Sequence, residues 1–177
     1  MKNLSFTLNG NKEIVVKANF DFSPEQMFEV HTNPELIQQW LVTPMKWVLD
    51  ICDVDLSIGG EFRYHWFLST FKEGYIAGAR GNSSFYEGPL ELNIFGTFKE
   101  IIPNEKLVFT EDCSERWFPG ECLNSITFKA VNGGCELVQV LQYESEEARQ
   151  IVLAAEFKDG TEGRFLQFEE ILSSLKK

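Results

Sequence analysis

Residues 145–175 read SEEARQIVLAAEFKDGTEGRFLQFEEILSSL, and the fold follows from this stretch. Ser145 can cap a helix, with Glu146 and Glu147 in the first turn, where the helix dipole favours negative charge. Ala154, Phe157, Thr161, Phe165, Phe168, Leu172 and Leu175 then recur at steps of three and four, which gives one mostly apolar stripe. Glu156, Lys158, Glu162, Glu169, Glu170 and Lys176 take the other face. The pattern predicts one continuous helix from Ser145 to Leu175, about 45 Å long. Within a domain of this size, only a sheet can cover so long a stripe. Gly160 and Gly163 fall mid-helix, where each costs about 1 kcal/mol relative to Ala. Two explanations fit them: close packing against a strand, or room for a ligand between helix and sheet.

The chain has 177 residues, enough for a single domain over residues 1–177 with its own core. Hydrophobic residues make up 44%, which excludes a disordered chain. The 16 Phe and 4 Trp favour strands and a bulky aromatic interior. A formal net charge of −11 argues against binding nucleic acid, which needs clustered Lys and Arg, and against an anionic membrane surface. No run approaches a membrane span, and residues 1–5 lack the apolar core of a signal peptide, so a cytoplasmic protein is expected. Cys52, Cys113, Cys122 and Cys135 are not spaced as metal ligands, and no metal or cofactor is expected. Cys113 and Cys122 are equidistant from a hairpin tip expected at Trp117-Phe118 and could face each other across two strands. In a reducing cytosol, free thiols are the expectation.

Residues 1–12 read as irregular, with at most a short strand near Phe6–Leu8. Glu13 to Phe22 alternates as a strand, with Ile14, Val16, Ala18 and Phe20 on one face. Ser23-Pro24-Glu25-Gln26 is a capping box with Pro at the first helical position, and Asn33-Pro34 starts a second short helix. Strands follow at Trp47–Leu56, Glu61–Phe67, Leu92–Ile102, Lys106–Glu111, Glu121–Val131 and Cys135–Tyr143. Ile58-Gly59-Gly60, Pro103-Asn104-Glu105 and Asn132-Gly133-Gly134 supply turns. The fold class is α+β: a curved antiparallel sheet of six to seven strands around one long C-terminal helix, with two short helices after the first strand. Residues 69–93 form a long glycine-rich loop, which could close over a cavity mouth, join two copies in a homodimer, or simply be mobile.

The segments SPEQMFEVHTNPELIQQW (23–40), DLSIGGEFR (55–63), GTFKEIIP (96–103) and EKLVFT (105–110), with a terminal helix holding Gly163, occur in a recognisable order. In these the chain resembles the helix-grip superfamily that includes START domains. More specifically it is similar to the bacterial branch related to the C-terminal domain of the activator of Hsp90 ATPase. Two positions depart from that pattern. Ser57 stands where the family usually keeps Arg, and Gly163-Arg164 stands where it often has Gly-Trp.

The resemblance implies a cavity between sheet and final helix. Candidates to line it are Trp40, Phe62, Tyr64, Trp66, Phe98, Phe128, Phe157 and Phe165, with Gly160 and Gly163 giving space. Each aromatic could equally be core. Asn124 is a candidate polar member, whereas strand parity turns Arg63 and His65 away from Trp66. His31, at a helix end, suits a cation. Asp50, Asp53 and Asp55 cluster on one strand, where a solvated face competes with cation binding. No catalytic elbow, phosphate loop or metalloprotease motif is present, and no catalytic residue is assigned. Three functions remain. One is a binding protein for a hydrophobic or amphipathic small molecule. The second, implied only by the resemblance, is a stress-response partner of an Hsp90-type chaperone. The third is a cyclase- or hydrolase-like enzyme, with Tyr64 or His65 as general acid.

Overall fold

The computed structural model describes residues 1–41, 47–68, 73–77, 83–87, 90–113, 118–155 and 157–175. Eight strands make one antiparallel sheet: β1 (Lys2–Asn9), β2 (Glu13–Phe20), β3 (Val48–Val54), β4 (Glu61–Leu68), β7 (Leu90–Ile102), β8 (Lys106–Cys113), β9 (Cys122–Val131) and β10 (Gly134–Tyr143). Their spatial order is β1-β2-β10-β9-β8-β7-β4-β3. The sheet is curved and open, and helices α1 (Pro24–Thr32), α2 (Pro34–Trp40), α3 (Glu146–Ala154) and α4 (Phe157–Leu175) complete an α+β helix-grip fold.

The local signals act as expected at the short helices. Ser23 Oγ accepts from Gln26 N, and Gln26 Oε1 accepts from Ser23 N at 3.1 Å, closing the capping box. Asn33 Oδ1 accepts from Glu35 N at 3.0 Å and starts α2. At the β9–β10 hairpin Gly133 has φ +86°, which a side chain resists.

Four expectations need correction. The sheet has eight strands rather than six or seven, because β1 is a full edge strand paired with β2 from Lys2↔Asn19 to Asn9↔Glu13. Within the stretch read as a loop, β5 (Glu73–Ala77) and β6 (Ser83–Glu87) pair as an antiparallel hairpin, and residues 90–92 already belong to β7. Residues 69–72, 78–82 and 88–89 of that stretch lie outside the described residues. The C-terminal helix is two helices, α3 and α4. Val152 and Thr161 are both buried but nine positions apart, which at about 3.6 residues per turn places them on opposite sides of a straight helix. Both reach the interior only if the helix breaks, and Ala155 N closes the end of α3 on Val152 O at 3.1 Å. Ala154, assigned to the stripe, is exposed. Finally, Cys122 pairs in register with Glu111 rather than with Cys113, and Cys122 forms no disulfide. The hairpin tip at Trp117 lies outside the described residues.

The core lies between the concave sheet face and the helices. β2 contributes Ile14, Val16, Ala18 and Phe20, and β10 contributes Cys135, Leu137, Leu141 and Tyr143. α4 presses Phe165, Phe168 and Leu172 onto them, and α1 adds Met27 and Val30. Phe165 meets Phe20 edge-on, with ring centroids 5.4 Å apart.

Candidate functional site

Three cross-strand rows of the concave face build a cavity under α4. Register aligns Leu107, Ile126 and Gln139 in one row, Phe98, Phe109 and Asn124 in the next, and Glu111, Cys122 and Tyr143 in a third. Phe62 and Tyr64 of β4 extend the wall, His31 and Trp40 close it from α1 and α2, and Arg164 and Phe168 roof it from α4. The cavity is partly open, and its volume is about 60 Å³. That is room for roughly four water molecules.

The apolar wall centres on Phe62, whose ring lies 5.1 Å from Tyr64 and 5.5 Å from both Phe98 and Phe109. Gly96 makes this placement feasible. A Cβ there would fall 1.7 Å from Thr110 O and 2.7 Å from the Phe62 ring, so only glycine lets β7 pass.

Among the rings sit polar groups. His31 donates from Nδ1 to Met27 O at 2.6 Å, so the neutral ring keeps Nε2 as an acceptor. Its ring lies edge-on to Phe168 (4.8 Å) and Phe128 (5.3 Å). Desolvation, with a smaller push from Arg164, lowers its pKa to about 4, against the rise from the Met27 hydrogen bond. The expected helix-end cation is therefore a neutral imidazole, because burial outweighs the dipole. Gln139 Nε2 donates to Asn124 Oδ1 at 2.8 Å, which satisfies the buried Asn124. Burial raises the Glu111 pKa, and the Arg164 charge partly counters it. Burial also raises the phenols of Tyr64 and Tyr143 and the thiol of Cys122, so all three are neutral. The Nε of Arg164 is buried and has no hydrogen-bond partner among the described residues.

Of the ten candidate lining residues, Trp40, Phe62, Tyr64 and Phe98 line this cavity. The others lie elsewhere. Trp66 is buried and donates from Nε1 to Leu41 O at 3.1 Å, Phe128 packs on Phe28, Phe165 packs on Phe20, and Phe157 packs on Phe6. Gly160 and Gly163 are exposed, and a Cβ on either would meet nothing within 4 Å. Neither close packing nor ligand room explains them.

Glu111 and Arg164 were not among the candidates, yet both left a signal. Glu111 shares strand parity with Leu107, Phe109 and Cys113, and Arg164 sits at helical spacing from Thr161 and Phe168. A charge at an apolar position is the mark of a buried polar site.

The outer face differs. Arg63 donates to Asn93 Oδ1 at 3.0 Å, and His65 donates to Asp50 at 2.5 Å, both away from the cavity. Asp53 is exposed, and Asp55 accepts from Ser57 Oγ at 2.9 Å, a local bond in the turn where the family pattern has Arg. A broad groove of about 760 Å³ runs over the Asp53–Arg63–Phe95–Asp112 row. Among the described residues no three metal-ligating side chains converge, and no helix is long and apolar enough to cross a membrane.

The comparisons with known proteins agree with this architecture. A protein of Rhodobacter sphaeroides is 22% identical, with a TM-score of 0.76 over 98% of this chain and 99% of its own. A Mycobacterium smegmatis protein gives 0.74 at 17% identity, covering 98% and 99%. One from Nitrosomonas europaea gives 0.68 at 20% identity, covering 96% and 99%. At these identities the likeness shows the fold alone. No curated protein matches the sequence significantly. The model of the family described as activator of Hsp90 ATPase homolog 1-like protein matches residues 21–173, and the chain belongs to that family.

Proposed function

We propose that this chain is a cytoplasmic binding protein that holds a small apolar or amphipathic molecule in the cavity between sheet and α4. One observation carries the reading: a ring-walled cavity into which the fold brings a buried, unpartnered Arg164 Nε together with Glu111, His31 and Gln139. A purely structural core gains nothing from this set, because each polar group without a partner costs stability. A bound molecule with an apolar body and a polar head would supply the partners.

Native mass spectrometry of the protein taken directly from cells tests the reading, with Leu107→Phe as a cavity-blocking control. The expected result is an added small mass on the wild type that Leu107→Phe lacks. The same mass on both proteins, or on neither, would contradict it.

A second reading, general-acid catalysis on the bound molecule, is favoured by the raised pKa of Glu111. Conversion of the retained molecule by wild type and not by Glu111→Gln would support it. Regulation of an Hsp90-type ATPase is suggested by the family description. A change in chaperone ATPase rate on adding this protein would establish that role.

A further inference from the structure

We propose that the cavity takes the carboxylate of a small organic acid, which binds between Arg164 and Glu111 while Glu111 gains a proton. This rests on the small-molecule reading above and names the class of ligand.

Arg164 supplies the first half of the argument. Burial lowers its pKa and the Glu111 charge opposes that shift, but a guanidinium stays charged in a protein interior, and its planar N–H edge matches a carboxylate. The Nε–H is buried and unpartnered among the described residues. A carboxylate oxygen would satisfy both the donor and the charge.

Glu111 supplies the second half. Glu111 and Arg164 both line the cavity, close enough for the Arg164 charge to act on the Glu111 carboxyl, and the Arg164 Nε is not bonded to it. Where Glu111 is ionised, its charge and that of Arg164 cancel, while burial favours its protonated form. A carboxylate added to this pair would leave one excess negative charge among rings, which a low-dielectric site penalises heavily. A proton from solvent removes that excess. Glu111 becomes a carboxylic acid and donates to the ligand carboxylate, while the ligand's other oxygen accepts from Arg164.

The remaining neighbours cannot take this proton as readily. His31 of α1 has its pKa lowered to about 4, below that of Glu111, whose pKa is raised. Tyr64 of β4, Cys122 of β9 and Tyr143 of β10 are already protonated. Gln139 and Trp40 do not titrate. The volume of about 60 Å³ takes a carboxylate and its first carbons, and the open side of the cavity leaves room for the rest of a short tail beside Phe62, Phe98 and Phe168.

Butanoate, butanamide and 2-pentanone are near-isosteres that separate the charge from the shape. Each is titrated into methyl-labelled protein from pH 6 to pH 9 while the Leu107 and Ile126 methyl resonances are followed. Butanoate is expected to bind at least tenfold more tightly than the other two at pH 6. Its affinity should fall with rising pH, by at most about tenfold per pH unit, the slope for one proton taken up. Glu111→Gln should bind butanoate with no pH dependence, and Arg164→Met should lose the preference for butanoate over 2-pentanone. Equal binding of all three probes, or a flat wild-type pH profile, would overturn the proposal and leave the small-molecule reading standing. Failure of every probe to move those methyls would overturn both.

Discussion

Gly160 and Gly163 lie in the interior of α4, and replacing each with Ala should stabilise the protein. Both are exposed, and a Cβ at either would stand in open space. Neither has the left-handed φ that favours glycine. The substitution therefore removes backbone freedom from the unfolded chain without adding a clash. Helix propensity assigns about 1 kcal/mol to each change. The two stand three apart on one helix, close enough to couple, so the double variant should gain at most about 2 kcal/mol. For a chain of this length that gain raises Tm by at most about 4–8 °C. Thermal melts followed by circular dichroism, with urea titrations alongside, measure it. Butanoate affinity should not change, since neither position reaches the cavity. A lower Tm in either single variant, or a changed affinity, would refute the placement of these glycines.

Other outcomes follow from the same structure. His31 has a folded pKa of about 4 against 6.5 unfolded, so the unfolded state binds the extra proton between those values. Stability is full above pH 6.5 and falls by about 3 kcal/mol on descending to pH 4, and His31→Gln should flatten that part of the urea-midpoint profile. Phe62→Ala should cost about 3–5 kcal/mol in urea unfolding, because the ring is 3% exposed and touches Tyr64, Phe98 and Phe109. Native-state alkylation at pH 8 should be slow at all four cysteines. Cys113, Cys122 and Cys135 are buried, and the thiol pKa of Cys52 is pushed up to about 11, mainly by desolvation.

Local chemistry made much of the fold legible. The capping box at Ser23, the cap at Asn33 and the glycine turn at Gly133 each act through neighbours in sequence, and each appears where expected. The alternation of Ile14, Val16, Ala18 and Phe20 gave the core face of β2 for the same reason. β1 was harder to read because it is an edge strand, with only Leu4 and Phe6 half-buried between exposed residues. The β5–β6 hairpin was hidden by glycines and polar residues that resemble a loop. The break between α3 and α4 was legible in principle, from the phase change between Val152 and Thr161. Ala154, apolar but exposed, masks that change in the sequence.

The site was less legible than the fold. Aromatic residues of cavity and core look alike in sequence, and sheet curvature decides which ones line the space. Phe62 and Phe98 line it, whereas Phe128 and Phe165 pack against other rings. Glu111 and Arg164 are more than fifty residues apart, so their meeting depends on how α4 crosses β8. Their separate signals, a charge at an inward strand position and a charge on an apolar helix face, were present all along.

The most direct test of a ligand cavity beneath α4 is a crystal structure grown in the presence of butanoate at pH 6. The expected result is connected density between Arg164 and Glu111, with its tail against Phe62 and the Arg164 Nε donating to an oxygen. A cavity closed by its own side chains, with Arg164 turned to solvent and no density for the acid, would contradict the central claim.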